Sequence, residues 1–445
     1  AEDRNRYGGD SMNMVDIITK KRDGGELSPE EIHFFIDNYV KGSILDYQAS
    51  ALLMAIYFRG LSRAETFALT EAMEFSGDVE DLSDLPGVKV DKHSTGGVGD
   101  KTTLVVAPVA AAAGVTVAKM SGRGLGFTGG TADKLEAIPG FRTRLEPEEF
   151  RRQLAELGLA VITQTGSITP ADKKIYALRD VTGTVESPGL IASSIMSKKL
   201  AAGSDGIVLD VKCGSGALLK DLAEAENLAE LMIDIGRNAG RKMVAVISDM
   251  SQPLGQAVGN ALEVEEAIQV LKGGGPEDLR QLCLELAGEM IWIGGRAESF
   301  QEGKNIARKV LEDGSALEKF REMVRRQGGD DRIIEEPDRM GSSRYSRDVF
   351  AERDGFIAEM AAQEIGRASQ HLGAGRLRKE DEIDFTAGIR MHVRIGNFVK
   401  EGDVLATLYG ADSRRLEEAE TILEAAIRIS TEPAEPPKLI KKIIQ

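Results

Sequence analysis

The chain has 445 residues, of which 42% are hydrophobic and 29% charged, as in an ordinary soluble globular protein. This length exceeds the usual size of one hydrophobic core, so two or three domains are expected. The 72 acidic side chains outnumber the 56 basic ones, and the formal charge of −16 argues against nonspecific binding to nucleic acid or to an anionic membrane. Cys213 and Cys283 are too few for a disulfide framework or a CxxC-type metal set, which favours a reducing, cytoplasmic location.

The N-terminal part of the chain is predicted to form a small all-helical domain. Residues 1–11 are polar and precede the first methionines, so we interpret them as a remnant outside the fold. Four short helical patterns without strands follow over residues 12–76, with Ser28 and Ser62 as expected N-caps and Pro29 at a first helical position. The run Ala51 to Tyr57 is more apolar than one helix face needs, which favours a buried contact with a second subunit.

Strand-like and helical segments alternate after an acidic, turn-rich linker. This alternation predicts a large α/β domain with a mixed or largely parallel sheet, formed by residues 80–168 and 200–335. Residues 169–199 return to helical character and are expected to join the first helical domain. The most apolar run, Leu104 to Ala118, contains a proline and a glycine, which favours a buried helix over a membrane span.

The C-terminal part, residues 345–445, is predicted to be a small α+β domain. Its segment GNFVKEGDVLATLY is similar to a biotinyl or lipoyl hairpin, but no EAMKM-like lysine turn accompanies it, so a carrier function is disfavoured. We expect one helix over Ser299 to Arg326 before this domain. The proline-rich EPAEPPKLI is expected to be an extended tail on the C-terminal domain.

Two glycine-rich segments between Asp91 and Glu136 predict a phosphate site. They read DKHSTGGVGDK and SGRGLGFTGGTADKLE, and both follow strand-like runs. Glycines allow backbone N–H groups to approach an anion closely, and the helix after the first segment would direct its N-terminus at that anion. Side-chain donors accompany both segments: Lys92, Ser94, Thr95, Thr102 and Thr103 in the first, and Ser121, Arg123 and Thr131 in the second.

These glycine loops admit two other interpretations, and a later glycine turn has two interpretations of its own. The glycines of one loop alone fit simple turns equally well, but two loops of matching chemistry make that less favourable. The string GGVGDKTT resembles a nucleotide-binding P-loop, yet Asp100 stands where that motif requires glycine before Lys101. The later KCGSGA turn fits a third anion loop or, as we favour, a tight exit from a strand.

Four motifs in this order resemble the thymidine and pyrimidine-nucleoside phosphorylases: DKHSTGGVGDK, SGRGLGxTGGTxDKLE, YALRDVT and SSIMSKK. The likeness extends from about Met12 to the C-terminus. It implies reversible phosphorolysis of pyrimidine nucleosides, in which phosphate attacks C1′ and releases the base and (2-deoxy)ribose 1-phosphate. It also implies inorganic phosphate as co-substrate, no organic cofactor and a homodimer formed through the helical domain.

The resemblance assigns roles to residues of this sequence. The catalytic residues are expected to be His93, Arg179 and Lys198. The place of His93 between Lys92 and Ser94 predicts that its imidazole donates a proton to O2 of the leaving base. The phosphate-binding residues it implies are Lys92, His93, Ser94, Thr103, Lys119, Met120, Ser121 and Thr131. The pyrimidine-binding residues it implies are Tyr176, Arg179, Ser194 and Lys198. A monovalent-cation site for potassium, made mainly of carbonyl oxygens, corresponds to Gly99, Lys101, Leu254, Ala257 and Glu266.

Two departures from the family pattern bear on specificity. Phe127 replaces the usual histidine of GHTGG, which changes the packing of the loop. Lys119 replaces the methionine typical of thymidine-specific members, which favours the broader group that accepts uridine, thymidine and deoxyuridine. The alternatives are a strict thymidine and deoxyuridine phosphorylase, a phosphoribosyltransferase of the anthranilate type, and a non-enzymatic binding role.

Overall fold

The computed structural model describes residues 12–124, 127–163, 166–378 and 381–445. These residues form two compact units. The first comprises the described residues up to Asp81, those between 166 and 203, and Glu230–Gly240. The second comprises the other described residues.

The helices, in chain order, are α1 (Met14–Arg22), α2 (Pro29–Val40), α3 (Asp46–Arg59), α4 (Arg63–Glu74), α5 (Thr102–Ala112), α6 (Thr131–Glu136), α7 (Pro147–Leu157), α8 (Pro170–Thr182), α9 (Pro188–Ala201), α10 (Leu222–Asn238), α11 (Asn260–Leu271), α12 (Glu277–Ile293), α13 (Phe300–Glu312), α14 (Ser315–Arg326), α15 (Ala362–Ser369) and α16 (Ser413–Ala426). None of these described helices is both long enough and apolar enough to cross a membrane.

The strands are β1 (Val90–Ser94), β2 (Val117–Ser121), β3 (Leu159–Thr163), β4 (Gly206–Cys213), β5 (Lys242–Asp249), β6 (Ala257–Val258), β7 (Tyr345–Phe350), β8 (Gly355–Met360), β9 (Gly388–Met391), β10 (Phe398–Val399), β11 (Val404–Gly410), β12 (Ile427–Ser430) and β13 (Ile440–Ile444).

The first unit is a helical bundle whose helix starts are fixed by the residues that the sequence predicted. Ser28 caps α2 and Ser62 caps α4, each in a reciprocal capping box with a glutamate three residues later. Glu65, the partner of Ser62, also forms a buried ion pair with Lys21 at 2.7 Å. One carboxylate thereby ties α4 to the end of α1.

Helices α8 and α9 belong to this bundle although they lie about a hundred residues further along the chain. Thr70 on α4 donates to Ser193 on α9 at 3.1 Å, and Ser193 donates to the Thr66 carbonyl at 3.2 Å. A Cβ on Gly189 of α9 would come within 3.1 Å of Leu61, just before α4, and 3.3 Å of Thr66 on α4, so the absence of a side chain there lets α9 approach α4 closely. This packing holds the YALRDVT and SSIMSKK motifs on one helical framework.

The second unit contains a sheet in the order β1-β4-β5-β13 and a parallel pair β2-β3. Strands β1, β4 and β5 run parallel and are buried along most of their length, as expected for strands covered on both faces. Towards the C-terminus, β6-β9-β11-β7 and β10-β8-β12 form two antiparallel sheets that α15 and α16 accompany. The predicted combination of a helical domain, an α/β domain and a C-terminal α+β domain is confirmed.

Two predictions about the second unit need correction. The proline-rich segment lies against the C-terminal domain where Pro436 packs on Gly396, but it ends in β13, which pairs antiparallel with β5 at the edge of the main sheet. The run IKKII supplies β-branched residues that suit such an edge. The helix expected from Ser299 to Arg326 is two helices, separated at Gly314, whose φ of 83° no helix interior accommodates.

Candidate active site

The two glycine-rich segments leave the carboxyl ends of neighbouring parallel strands. The parallel bridge between Lys89 and Thr116 aligns β1 with β2, so that Ser94 and Ser121 end the two strands at matching positions. Ser94 is also paired with Asp210 of β4. Ligands of open α/β sheets bind at this edge, so the predicted placement of both loops is confirmed.

Asp100 organises the first glycine-rich loop, a role that sequence reasoning missed. Its carboxylate accepts hydrogen bonds from the Ser94 hydroxyl at 2.5 Å and from the Thr102 hydroxyl at 2.6 Å. Its own carbonyl accepts from Lys134 Nζ at 2.5 Å. The sequence did contain a signal for this role, because Asp100 is a carboxylate within a loop of anion-binding composition. A negative charge in such a loop requires cationic or hydrogen-bonding partners.

The charges around Asp100 hold it ionised. Burial would raise the pKa of its carboxyl, but Lys212, Lys92 and Lys134 outweigh burial and keep the pKa well below its ordinary value. Burial likewise opposes the charged form of Lys212, yet the carboxylates of Asp100 and Asp210 raise the pKa of its ammonium. The loop is therefore a network of charges that stabilise one another.

Each of five lysines in this region faces a carboxylate, with Asp210 shared by two of them, and Asp100 supplies the fifth negative charge. The N–O distances are 3.5 Å for Lys92–Asp210, 3.4 Å for Lys119–Asp91, 2.5 Å for Lys101–Glu266, 2.8 Å for Lys134–Glu263 and 2.7 Å for Lys212–Asp210. Charge-assisted hydrogen bonds are usually about 2.7–2.9 Å long, so the pairs of Lys92 and Lys119 are the loosest of the five.

The start of α5 adds two further predicted residues to this edge. Thr102 and Thr103 form its first turn, and the Thr102 hydroxyl accepts from Lys92 Nζ at 2.6 Å. The N–H groups of a helix's first turn carry partial positive charge, and the Asp100 carboxylate already accepts from the Thr102 N–H group at 3.2 Å. Lys92, Ser94 and α5 therefore share one end of β1.

His93 lies beside this cluster but on the other side of β1. Successive side chains of a strand point to opposite faces, so the strand geometry that directs Lys92 towards Thr102 directs His93 away from it. His93 is half-buried. The side chain of His93 is therefore on the opposite face of β1 from the contacts of Lys92 with Thr102 and Asp210.

The second loop is arranged around Asp133. This buried carboxylate accepts from the Gly124 backbone at 2.7 Å and from Arg123 at 3.1 Å, and Arg123 also pairs with Glu136 at 2.6 Å. Arg123, expected from the sequence to complete the phosphate cradle, is therefore held by two carboxylates instead. Ser121 ends β2, next to Met120, and Thr131 begins α6, whereas residues 125–126 lie outside the described part of the chain.

Phe127, which departs from the family motif, packs against the C-terminal part of the second unit. A Cβ on Gly366 of α15 would come within 2.8 Å of the Phe127 carbonyl and 3.2 Å of its ring. The aromatic ring therefore ties the loop to α15 through close packing.

The KCGSGA turn uses its backbone donors internally. The N–H groups of Gly214 and Gly216 donate to the carbonyls of Leu219 and Met250 at 3.0 and 2.8 Å. Because these N–H groups already donate to backbone carbonyls, the turn is better interpreted as a tight exit from a strand than as an anion-binding loop.

The four residues assigned to the base lie on two helices of the first unit. Tyr176 and Arg179 share one face of α8, and Ser194 and Lys198 are one turn apart on α9. Lys198 Nζ donates to Ser194 Oγ at 3.0 Å and to Asp172 at 2.6 Å. The sequence did not lead us to predict that Asp172 holds Lys198. The available signal was its spacing, because a residue four positions before Tyr176 lies on the same face of α8.

Arg179 is 1% exposed and holds the connection between α8 and α9. Its guanidinium donates to the carbonyls of Thr184 at 3.1 Å, Leu190 at 3.2 Å and Val185 at 2.5 Å. Burial lowers the pKa of this guanidinium, while the Asp172 carboxylate opposes that effect. A guanidinium has five N–H donors and these contacts use three, so Arg179 holds the loop between α8 and α9 in place.

The five residues of the expected cation site also lie together. Lys101 Nζ contacts the carbonyls of Leu254 and Ala257, both at 2.9 Å, and Glu266 at 2.5 Å, while Gly99 packs against the same carbonyls. Within the described residues, no group of three or more His, Cys, Asp and Glu side chains is arranged to hold a metal ion.

Three family models match the chain. Residues 15–77 match the "Glycosyl transferase family, helical bundle domain", and residues 87–317 match the "Glycosyl transferase family, a/b domain". Residues 356–430 match the "Pyrimidine nucleoside phosphorylase C-terminal domain". The fold and these matches define the chain as a glycosyltransferase of the nucleoside phosphorylase type.

Two similar proteins narrow the class of glycosyltransferase to which the chain belongs. The chain is 54% identical over 433 residues to a pyrimidine-nucleoside phosphorylase of Staphylococcus aureus (strain N315), covering 97% of this chain and 100% of the relative. It is 52% identical over 429 residues to a pyrimidine-nucleoside phosphorylase of Geobacillus stearothermophilus, covering 96% and 99%. The chain belongs to the pyrimidine-nucleoside phosphorylase family.

A solved structure shares the fold at lower similarity. Anthranilate phosphoribosyltransferase from Thermus thermophilus superimposes with a TM-score of 0.57 at 23% identity, over 70% of this chain and 99% of that chain. This likeness concerns the fold alone.

Proposed function

We propose that the chain catalyses the reversible phosphorolysis of uridine, thymidine and deoxyuridine. Phosphate attacks C1′, the bond from C1′ to N1 of the base breaks, and the products are the free base and (2-deoxy)ribose 1-phosphate. The observation that carries the proposal is the edge formed by the carboxyl ends of β1 and β2, where Lys92, Ser94 and the start of α5 lie at the end of β1 and Lys119 and Ser121 lie on β2. Family membership gives this cluster its substrate class.

Phosphate is proposed to bind among the residues of the second unit. Lys92, Lys119, Ser94, Ser121, Thr103 and Thr131 would surround its oxygen atoms, with Met120 lining the site. While Ser94 donates its proton to Asp100 it can only accept a hydrogen bond, so a protonated phosphate oxygen suits it better than an ionised one. Catalysis then consists mainly of positioning the nucleophile and compensating its charge.

The departing pyrimidine is proposed to bind the residues of the first unit. Negative charge develops on N1, O2 and O4 as the bond to C1′ breaks, so donors at these atoms lower the barrier. Lys198, held by Asp172 and Ser194, and Arg179 would supply such donors, with Tyr176 beside the ring. His93 would donate a proton to O2.

We further propose a cytoplasmic homodimer that binds small molecules and uses neither an organic cofactor nor nucleic acid. Large apolar side chains of the first unit support a subunit interface there: Tyr47 is 69%, Phe58 76% and Phe75 63% exposed. Light scattering on a Phe58→Asp variant checks this, because a monomeric variant beside a dimeric parent is the expected outcome.

One assay tests the proposed reaction. Uridine, thymidine and deoxyuridine are each incubated with and without inorganic phosphate, and base release is followed. Phosphate-dependent release from all three is expected. Release from thymidine and deoxyuridine alone would support the strict alternative. No release from any of them, together with activity on anthranilate and a phosphoribosyl diphosphate, would overturn the proposal.

A variant pair tests the base site. Lys198→Met removes the proposed donor, so we expect kcat/KM for the nucleoside to fall by at least about 100-fold, as for loss of a donor to developing charge. Lys173→Met on α8 removes an exposed lysine of the same unit and should leave kcat/KM unchanged. Equal effects of the two substitutions would exclude a direct role for Lys198.

A further inference from the structure

The ammonium group of Lys101 lies in a closed cage of oxygen atoms. Its Nζ is 2.9 Å from the Leu254 carbonyl, 2.9 Å from the Ala257 carbonyl and 2.5 Å from Glu266 Oε2. The side chains of Lys101 and Glu266 are 0% and 1% exposed. A lysine ammonium has three N–H donors, and these three oxygen atoms match them in number.

The cage is built by its surroundings rather than by chance contact. Glu266 also accepts from the backbone N–H groups of Gln256 at 2.9 Å and Ala257 at 3.1 Å, so the loop from 254 to 257 folds around its carboxylate. A Cβ on Gly255 would lie 2.3 Å from Glu266 Oε2 and 3.1 Å from Lys101 Nζ. A Cβ on Gly99 would lie 2.7 Å from the Leu254 carbonyl oxygen. Glycine is therefore required on two sides of the cage.

These are the residues that the family resemblance assigned to a potassium site, and they do not fit an additional cation. Two carbonyls and one carboxylate offer one negative charge, and the Lys101 ammonium already balances it. The cage has no room for a second cation beside the ammonium. A second cation could therefore bind these oxygen atoms only by displacing the ammonium. We propose that Lys101 takes the place of the monovalent cation, as an ammonium tethered to the chain.

The tethered ammonium links the loop from 254 to 257 to the phosphate-binding edge. Lys101 is the N-cap of α5 and directly follows Asp100, which holds Ser94 and Thr102. Lys101 is thus a positioning residue that fixes the start of α5 without an added ion. The stability and activity of the wild-type protein should be indifferent to the identity of the monovalent cation.

Thermal unfolding in matched salts tests the proposal without relying on activity. Wild type and a Lys101→Ser variant are unfolded in potassium, ammonium, sodium and tetramethylammonium chloride at one ionic strength. The wild-type Tm should be the same in all four salts. The serine variant lacks the ammonium and leaves Glu266 uncompensated, so potassium or ammonium should raise its Tm by at least about 3 °C over tetramethylammonium.

Lys319→Ser is the matched control. Lys319 Nζ donates to the Leu157 carbonyl at 2.7 Å and forms no direct ion pair within the described residues, so its removal does not leave a buried carboxylate without its cation. The Tm of the Lys319→Ser variant should be the same in potassium and tetramethylammonium chloride.

A wild-type Tm that rises specifically with potassium would overturn the proposal, even if the Lys101→Ser variant failed to fold. A folded Lys101→Ser variant that responds to neither potassium nor ammonium would overturn it as well. Neither result bears on whether the protein is a phosphorylase.

Discussion

At the scale of single residues, Asp100 and Asp172 hold the side chains that are proposed to contact substrate. Asp100 fixes Ser94 and Thr102 in the glycine-rich loop, and Asp172 fixes Lys198 on α9. Neither carboxylate suits direct contact with phosphate or with a base that gains negative charge. Their role follows from what they hold, namely hydroxyl and ammonium groups that would otherwise sample several rotamers.

Asp100→Asn tests the charge balance of the loop. The substitution keeps an oxygen acceptor but removes a negative charge faced by three lysines, so the folded state should lose about 3 kcal/mol of stability. Phosphate restores part of the missing charge, so it should raise the Tm of the variant more than that of the wild type. Thermal unfolding with and without phosphate measures both effects.

The control for this experiment is Asp84→Asn, which alters an exposed ion pair with Arg151 and should change neither quantity. A phosphate-induced shift that is smaller in Asp100→Asn than in the wild type would mean that Asp100 matters by shaping the loop rather than by its charge.

His93→Ala separates proton donation from phosphate binding. Because His93 points away from Lys92 along β1, its removal should lower kcat by about 100-fold while the KM for phosphate changes little. Steady-state kinetics with varied phosphate measures the two constants. A near-normal kcat would refute the acid role, and a large rise in phosphate KM would make His93 a phosphate ligand.

At the scale of elements, the first glycine-rich loop needs its glycines for two different reasons. Gly96 and Gly99 both have positive φ, of 92° and 72°, which glycine adopts without strain. They differ in surroundings, because a Cβ on Gly96 would have only the Thr128 side chain at 4.0 Å, whereas one on Gly99 would clash with the Leu254 carbonyl. Glycine is needed at position 96 for the backbone conformation alone, and at position 99 for both the backbone conformation and the close packing.

The pair Gly96→Ala and Gly99→Ala isolates these reasons. Each should lose about 1–2 kcal/mol from the left-handed backbone, and Gly99→Ala should lose about 1–3 kcal/mol more from the clash. Urea unfolding of both variants gives the difference directly. Equal losses would show that the loop from 254 to 257 shifts freely to admit a methyl group.

The sequence predicted local features of these elements well and distant contacts poorly. The caps at Ser28 and Ser62 and the glycine loops after β1 and β2 depend on neighbouring residues, and the structure confirms them. The pairing of β13 with β5 joins segments about 200 residues apart, which periodicity does not encode. The contacts of Lys101 likewise depend on a loop more than 150 residues away. The family resemblance implied a cation at these residues, but the sequence did not show that the Lys101 ammonium lies among them.

At the scale of the whole molecule, the proposed substrate contacts are divided between the two compact units. The proposed phosphate-binding residues all belong to the second unit and the proposed base-binding residues to the first. Variants of one set should therefore change the affinity for one substrate first. Stability also depends on a buried carboxylate of α12 that belongs to neither set, and this carboxylate makes stability dependent on pH.

Glu289 is the residue that should set this pH dependence. It is fully buried, and its Oε2 has no hydrogen-bond partner among the described residues. Burial, reinforced by the nearby Glu285, raises the pKa of its carboxyl to about 7, although Gln445 and Lys304 oppose the shift. The folded state therefore binds a proton that the unfolded state has released, so stability is fully present below about pH 4.5 and declines as the pH rises to about 7.

Glu289→Gln should remove this decline, because the amide stays neutral and still offers an oxygen to Gln445. At pH 8 the variant should gain up to about 3 kcal/mol over the wild type, and at pH 5 the two should be nearly equal. Urea unfolding between pH 5 and 8 measures the difference. Glu277→Gln on the exposed side of α12 serves as the control and should not gain stability at pH 8. A Glu289→Gln variant that keeps the wild-type slope would mean that the carboxyl is ionised throughout this range and that its burial is compensated by groups other than Gln445 and Lys304.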